Sequence, residues 1–350
     1  DYRYIRTAYN GGYTKAVRHV RETPARVADI NSSYPNIMST LRFPVGAYSA
    51  VEGALASKLF ECETEGIVTA TVDVPEIYMP TLAFRKPGEG PLYPTGVFRG
   101  TWTALSLRRA VERNEARIVA MDGGLFWPET AVIYKPFVET LYAIRRAEIG
   151  RSAEGKDSAL GTWAKLVGNS LSGKLGVKPS KRRFTINGIV RACYCKNDDC
   201  YCGSSTPVSD HVTESRVYKI DACAHIHHAA YVTSAASQAL FDAAYLVGHP
   251  NVIYFDTDSI FCTRAGSFDG LRTGNELGEW SAKEIEDLSV YGSKLYEYSE
   301  AGKRKVKAKG ARNPLTAKPG TVTDIGGVVG LKKTLAGGFR AQFFSRRNTP

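Results

Sequence analysis

The chain has 350 residues, 43% hydrophobic and 23% charged, with a formal net charge of +11. That is enough apolar material for at least one large core, and no apolar run is long enough to span a membrane, so disordered and transmembrane classes are set aside. Seven cysteines, an odd number, argue against a disulfide framework and for a reducing, cytoplasmic setting, while the basic balance favours a polyanionic partner, nucleic acid before an acidic membrane surface.

Asp1-Tyr2-Arg3-Tyr4 is not a secretion signal and no initiator Met is present, so the chain reads as an excerpt of a longer protein. A Tyr/Gly-rich turn, Tyr9-Asn10-Gly11-Gly12-Tyr13, precedes a basic segment. Val27-Ala28-Asp29-Ile30 is a short apolar strand that turns into a helix at Tyr34-Pro35. Residues 40–98 are rich in Pro and Gly, with alternating strand patterns such as Gly66 to Val72. An amphipathic helix over 101–114 and a strand from Ala116 to Ala120 follow. Residues 136–175 form two helices joined by the polar turn Gly150 to Gly155. Residues 176–222 are polar, Cys-bearing and β-rich, and 226–247 form a helix rich in Ala and Tyr. Residues 251–263 pair two strands around Asp256-Thr257-Asp258, and the segment from 291 to 350 is strongly basic.

Two constellations carry chemistry. Asp29 ends a strand, and Asp256 and Asp258 flank a hairpin tip. Residues two apart share a strand face, so the tip is expected to project both carboxylates together. Carboxylates crowded beside apolar strands repel one another unless cations neutralise them. Their hard oxygens suit Mg²⁺, and two such ions stabilise an in-line displacement at phosphorus. A lone Asp-x-Asp is common and by itself reads as a solvated acidic turn. The second constellation is Lys165-Leu166-Val167-Gly168-Asn169-Ser170-Leu171-Ser172-Gly173. Lys165 and Asn169, four apart, share a helix face and together can grip a triphosphate. Alone, this segment reads as a surface helix.

Taken in order, these segments resemble a known family. Asp29 to Tyr34-Pro35 is similar to motif A of family B DNA polymerases, Lys165 to Gly173 to motif B, and Tyr254 to Ser259 to motif C. Lys294-Leu295-Tyr296 resembles the family's Lys-x-Tyr motif, and Val306 to Gly310 the basic strand after it. Tyr9-Asn10-Gly11-Gly12 resembles the Tyr-x-Gly-Gly motif of the protein-primed branch of viruses and linear plasmids, where it touches single-stranded template. The short helical pair also resembles that branch's compact fingers.

The resemblance implies an α+β right hand: an antiparallel-sheet palm, short helical fingers and a partial thumb. It divides the chain into palm (1–44), a first insertion that engages terminal protein and DNA (45–98), palm (99–135), fingers (136–175), a Cys-bearing second insertion (176–222), palm (223–312) and the start of a thumb (313–350). It implies a DNA-directed DNA polymerase acting on template-primer DNA and dNTPs, with a terminal protein as a further partner and no membrane, in the host cytoplasm if the source is viral. Asp29 and Asp258 would hold two Mg²⁺ ions, with Asp256 supporting them from nearby. Tyr34 would lie under the incoming sugar and exclude a 2′-hydroxyl. Lys165, Asn169 and, from the partner helix, Arg145 would face the triphosphate. Lys294 and Tyr296 would steady the primer end, Tyr9, Gly11 and Gly12 would meet template, and Lys307 and Lys309 would track the duplex backbone.

Ser172 stands where the family usually has Tyr, which implies a roomier nucleotide pocket and less misinsertion on Ser172→Tyr. The chain starts too near motif A to hold the family's N-terminal proofreading exonuclease. Cys193, Cys195, Cys200 and Cys202 form two Cys-x-Cys pairs across a polar turn. They fit one tetrahedral Zn²⁺ or, equally, free thiols on an exposed hairpin. His225, His227 and His228 read as palm packing rather than metal ligands. Two rival functions stand beside the polymerase: a primer-independent relative, and a non-catalytic module that binds nucleic acid or terminal protein.

Overall fold

The computed structural model describes residues 1–85, 91–151, 158–177 and 224–308, together with the strand backbones at 181–186, 205–209, 212–217, 328–333 and 339–343. The helices among them are α1 (Tyr2–Thr7), α2 (Ser33–Thr40), α3 (Gly53–Glu61), α4 (Ala104–Glu112), α5 (Lys135–Arg151), α6 (Ala159–Leu175) and α7 (Ile226–Val247). Among the described residues no helix is long and apolar enough to cross a membrane.

The central element is a five-stranded sheet in the order Thr14–Ala16, Val252–Asp256, Ser259–Thr263, Ala25–Ile30, Trp280–Ile285, antiparallel at every pairing. Its middle strands are covered on both faces, which is why Val252-Ile253-Tyr254-Phe255 reads as a continuous apolar run rather than an alternation. One face packs on α7, where Leu240, Phe241, Ala244 and Val247 meet Val252, Phe255 and Ile260. Each such Leu or Phe contributes roughly 1.5–3 kcal/mol on burial. The other face packs Val27, Tyr254 and Phe261 against Leu288, Val290 and Tyr296 of a second sheet. That sheet contains Asp287–Gly292, Leu295–Glu300 and Lys303–Ala308. Only the ends of the central strands are uncovered, and there the polar residues collect.

The expected boundary at 98/99 falls inside a strand, Gly96–Thr103. That strand pairs with Glu65–Val74, which pairs in turn with Arg117–Trp127. Ser49–Glu52 completes a four-stranded sheet with its own core, in which Trp102 and Leu107 pack with Phe60 and Val68. Backbone pairing and a shared core therefore join residues 49–127 into one unit. The expectation of β structure in 176–222 is met by a three-stranded sheet of Lys181–Ile186, Val212–Val217 and Ser205–Ser209.

The two helices expected over 136–175 are α5 and α6, packed side by side. Ser158 caps α6, its hydroxyl accepting the Gly161 N–H at 3.1 Å. The inward face of α6 is Gly161, Ala164, Gly168, Ser172 and Leu175. Small residues on this stripe let α6 lie close to its neighbours; a Cβ on Gly168 would stand 3.8 Å from Leu141 of α5 and 3.9 Å from Pro35 of α2.

Candidate active site

Antiparallel pairing brings the two strand-borne carboxylate sites together. Asp29 lies opposite Ser259 on one side and Ser281 on the other. The Asp256–Asp258 turn is clipped to its strand by Ile30 N–H donating to the Asp258 carbonyl at 2.9 Å. Thr257 sits at φ +69°, an unfavourable conformation for a β-branched residue. Its N–H donates to the Tyr13 carbonyl at 2.8 Å, and its hydroxyl accepts from Lys294 Nζ at 3.0 Å.

Asp256 and Asp258 flank this left-handed residue and both line one concave surface, but they are held differently. Asp256 is held on both oxygens: Lys294 Nζ donates to Oδ1, and the Tyr296 hydroxyl donates to Oδ2 at 2.8 Å. The Lys-x-Tyr pair thus reaches motif C directly. Among the described residues Asp258 has no such clamp. Loss of hydration, then the nearby Asp29 and Asp256 charges, push its pKa up to about 7, against a smaller pull from Lys294. Asp29 is accessible but stands in a concave surface, and desolvation raises its pKa too. Lys283 and Lys165 oppose that rise, and Asp256 adds to it.

Two clefts meet at Asp29 and Asp258. The first, about 830 Å³, runs from these carboxylates to the fingers and is lined by Tyr34, Arg145, Lys165 and Asn169 among others. All four nucleotide-facing residues expected from sequence are therefore in one cavity. The second, about 660 Å³, lies on the sheet side and is lined by Asp256, Lys283, Lys294, Tyr296, Tyr298 and Lys307. Tyr9, Gly11 and Gly12 line neither cleft. Gly11 turns at φ +75°, and the Tyr9 ring lies against Gly176 at the end of α6, where a Cβ would be 2.8 Å from its hydroxyl. Gly12 lies against Tyr34 and Thr257.

Ser172 does not line the cavity. It is 6% exposed on the inward face of α6, and its hydroxyl bonds back to the Asn169 carbonyl at 3.3 Å. The expected roomier pocket does not follow, because this helix position points into packing. The ring nitrogens of His225, His227 and His228 lie within 4.8 Å of one another, close enough to share a metal ion. His228 is bonded on both nitrogens, to the Tyr134 hydroxyl at 2.6 Å and the Pro44 carbonyl at 2.8 Å. Burial lowers it to about 4 and His227 to about 3. Lys309 and the four cysteines at 193, 195, 200 and 202 lie outside the described residues.

Sequence reasoning missed Lys283 and the Glu276 contacts. Lys283 shares an edge strand with Ser281, and only the register that sets Ser281 beside Asp29 reveals it. Glu276 accepts from Arg146 at 2.9 Å and from the Tyr142 hydroxyl at 3.2 Å, joining a palm loop to α5 across the first cleft. These groups are largely exposed, so the tie is weak by itself.

The model of a protein family described as DNA polymerase type B, organellar and viral, matches residues 1–264. No curated protein matches the sequence. Among solved structures, Phi29 DNA polymerase complexed with primer-template DNA and incoming nucleotide substrates is similar, with a TM-score of 0.68 and 18% identity over 90% of this chain and 56% of that one. Its binary complex with primer-template DNA matches at a TM-score of 0.67, again at 18% identity, with the same 90% and 56% coverage. The chain thus spans little more than half the length of those polymerases, and at this identity the likeness is one of fold: an α+β right hand with an antiparallel palm and helical fingers. With the match extending over residues 1–264 of the 350, this chain belongs to the organellar and viral type B DNA polymerases.

Proposed function

We propose that the chain carries the nucleotidyl-transfer site of a DNA-directed DNA polymerase, joining dNTPs to a primer 3′-hydroxyl or to a hydroxyl of a terminal protein. The observation that carries this is the position of Asp29 and Asp258 at the junction of two clefts. One cleft has cations on its fingers wall, suited to a triphosphate; the other has lysines and tyrosines on its sheet wall, suited to a primer end. The donor set fits Mg²⁺: all its ligand atoms are hard carboxylate oxygens, and among the described residues Asp29 and Asp258 lack the direct hydrogen-bonded clamp that Asp256 has. Two ions held by Asp29 and Asp258 would supply charge stabilisation to the attacking and leaving oxygens of the in-line displacement.

The protein's own groups do the rest. Lys165 and Arg145 neutralise the triphosphate, and Asn169 donates to it. Tyr34 lies beneath the sugar and leaves no room for a 2′-hydroxyl. Lys294 and Tyr296 hold Asp256, and through it keep the Asp256–Asp258 turn in place beside the primer end. Lys307 meets a backbone phosphate. Uncompensated carboxylates cost stability, and a non-catalytic binding module has no reason to keep them. The likeness of fold to Phi29 polymerase and the Tyr9-Asn10-Gly11-Gly12 turn support the protein-primed branch. In that reading residues 49–127 correspond to the first insertion and 176–222 to the second.

The test is templated primer extension with the full-length protein in Mg²⁺. Asp29→Ala and Asp258→Ala should each stop incorporation while circular dichroism shows the fold retained. Near-normal extension by either variant overturns the assignment.

A further inference from the structure

Glycine occurs at positions 11 and 12 for different reasons. Gly11 adopts φ +75°, where L side chains are strained, so its backbone demands glycine. Gly12 lies outside that region, and its neighbours impose the demand instead. A Cβ at position 12 would stand 2.7 Å from the Tyr34 hydroxyl oxygen, 2.7 Å from Thr257 Cγ2 and 3.3 Å from Thr257 Oγ1. Non-bonded heavy atoms sit comfortably at about 3.5–4.0 Å, so a methyl group does not fit. The bare α-carbon therefore backs onto two functional groups at once. One is the ring that lines the nucleotide cleft, and the other is the residue between Asp256 and Asp258.

The turn is itself well anchored. The next residue, Tyr13, is fully buried, and its carbonyl accepts the Thr257 N–H at 2.8 Å. Thr14 then pairs with Asp256 in the central sheet. One residue along the chain from Gly12 the backbone is thus tied to the catalytic turn, so position 12 cannot drift away from a crowded neighbour at little cost. The side that yields is the Tyr34 ring.

We infer that Gly12 is a positioning residue for sugar selection: its α-carbon is the stop against which the hydroxyl end of Tyr34 rests, and it sets how far the ring stands from the sugar C2′. This rests on the reading of Tyr34 given above. A contact with template DNA alone would not require the close approach to Tyr34.

The experiment measures kcat/KM for a dNTP and for the matching rNTP with the full-length enzyme, and primer-template affinity at fixed salt. Gly12→Ala should lower the dNTP/rNTP ratio by roughly 10- to 100-fold, the cost of displacing a positioning group by about an ångström. Adding Tyr34→Phe, which deletes the crowded oxygen but keeps the ring, should restore most of the ratio. Adding Thr257→Ser instead should recover kcat and leave the ratio low. If Gly12→Ala alone does not fold, the triple variant Gly12→Ala/Tyr34→Phe/Thr257→Ser removes both short contacts and should fold with a ratio near wild type; its failure to fold overturns the inference. So does a Gly12→Ala enzyme whose ratio is unchanged while only primer-template affinity falls. Tyr34→Val in the wild-type background separates the two levels. If it leaves the ratio intact, the reading of Tyr34 fails. If it collapses the ratio and Gly12→Ala does not, the Gly12 inference fails alone.

Discussion

The two clefts that meet at Asp29 and Asp258 have walls of different kinds. The sheet-side cleft is built from paired strands, and its acidic group, Asp256, is satisfied on both oxygens by Lys294 and Tyr296. The fingers-side cleft is built partly from two helices and lacks Asp256; Asp258, which both clefts share, faces other carboxylates with its pKa raised to about 7. Asp256 and Asp258 are two residues apart, so the contrast owes nothing to composition. It shows a site in which one carboxylate has been made structural and its neighbours have been left short of positive charge, which is the condition a divalent cation relieves.

The strongest way to break this comparison is to neutralise each carboxylate separately. Asp258→Asn should lower kcat by more than about a thousandfold, the factor that several kcal/mol of lost transition-state stabilisation represents. It should also raise the melting temperature of the metal-free protein at pH 8, because it removes repulsion. Asp256→Asn should do the opposite to stability, since it leaves Lys294 and Tyr296 without their charged partner. Melting curves in EDTA check this; a destabilised Asp258→Asn would remove the contrast.

Next come the partners of Asp256. Lys294→Met and Tyr296→Phe should each lower kcat about 10- to 100-fold, from loss of a hydrogen bond to a charged group worth roughly 1.5–3 kcal/mol. Primer-template affinity should stay near wild type. Reduced affinity with kcat intact would return both residues to the primer end, where the family resemblance put them.

A smaller effect is expected in the pH dependence of metal-free stability. The folded-state pKa of Asp258, about 7, lies above the unfolded value of roughly 4, so between these values the folded protein binds more protons. Stability should therefore fall as pH rises from about 4 to 7 and level off above that. Asp258 contributes on the order of 2 kcal/mol after allowance for its part-exposure, and Asp29 acts in the same direction. Mg²⁺ should abolish the decline, and Asp258→Asn should flatten it; thermal melts at pH 5 and pH 8 with and without Mg²⁺ read both.

The smallest effect should come from Ser172. Its hydroxyl serves only its own helix backbone, so Ser172→Ala should change neither misinsertion nor stability by more than about 0.5 kcal/mol. Ser172→Tyr should instead overpack the inward face of α6, at a cost of about 1–3 kcal/mol. A misinsertion ratio improved by Ser172→Tyr at full stability would place this residue at the nucleotide after all.

Local chemistry and local spacing were determined by the sequence alone. The apolar run ending in Asp29, the Asp-Thr-Asp tip and the Lys165/Asn169 spacing on one helix face depend on neighbours within a few residues, and periodicity encodes such relations directly. Fold class was legible through the ordered resemblance to family B polymerases that these segments carry, and the four residues expected at the nucleotide line one cavity. Tertiary structure alone decided which group faces which. Lys294 and Tyr296, remote in sequence, clamped Asp256, and the strand register put Ser281 opposite Asp29 with Lys283 two residues further along the same strand. The strand Gly96–Thr103 carried the sheet across an expected boundary. The packing of α6 took Ser172 out of the pocket, and close approach of distant segments made Gly12 a glycine. None of these has a local signature, because each is set by burial and pairing between residues tens to hundreds of positions apart, where any one residue type fits many environments.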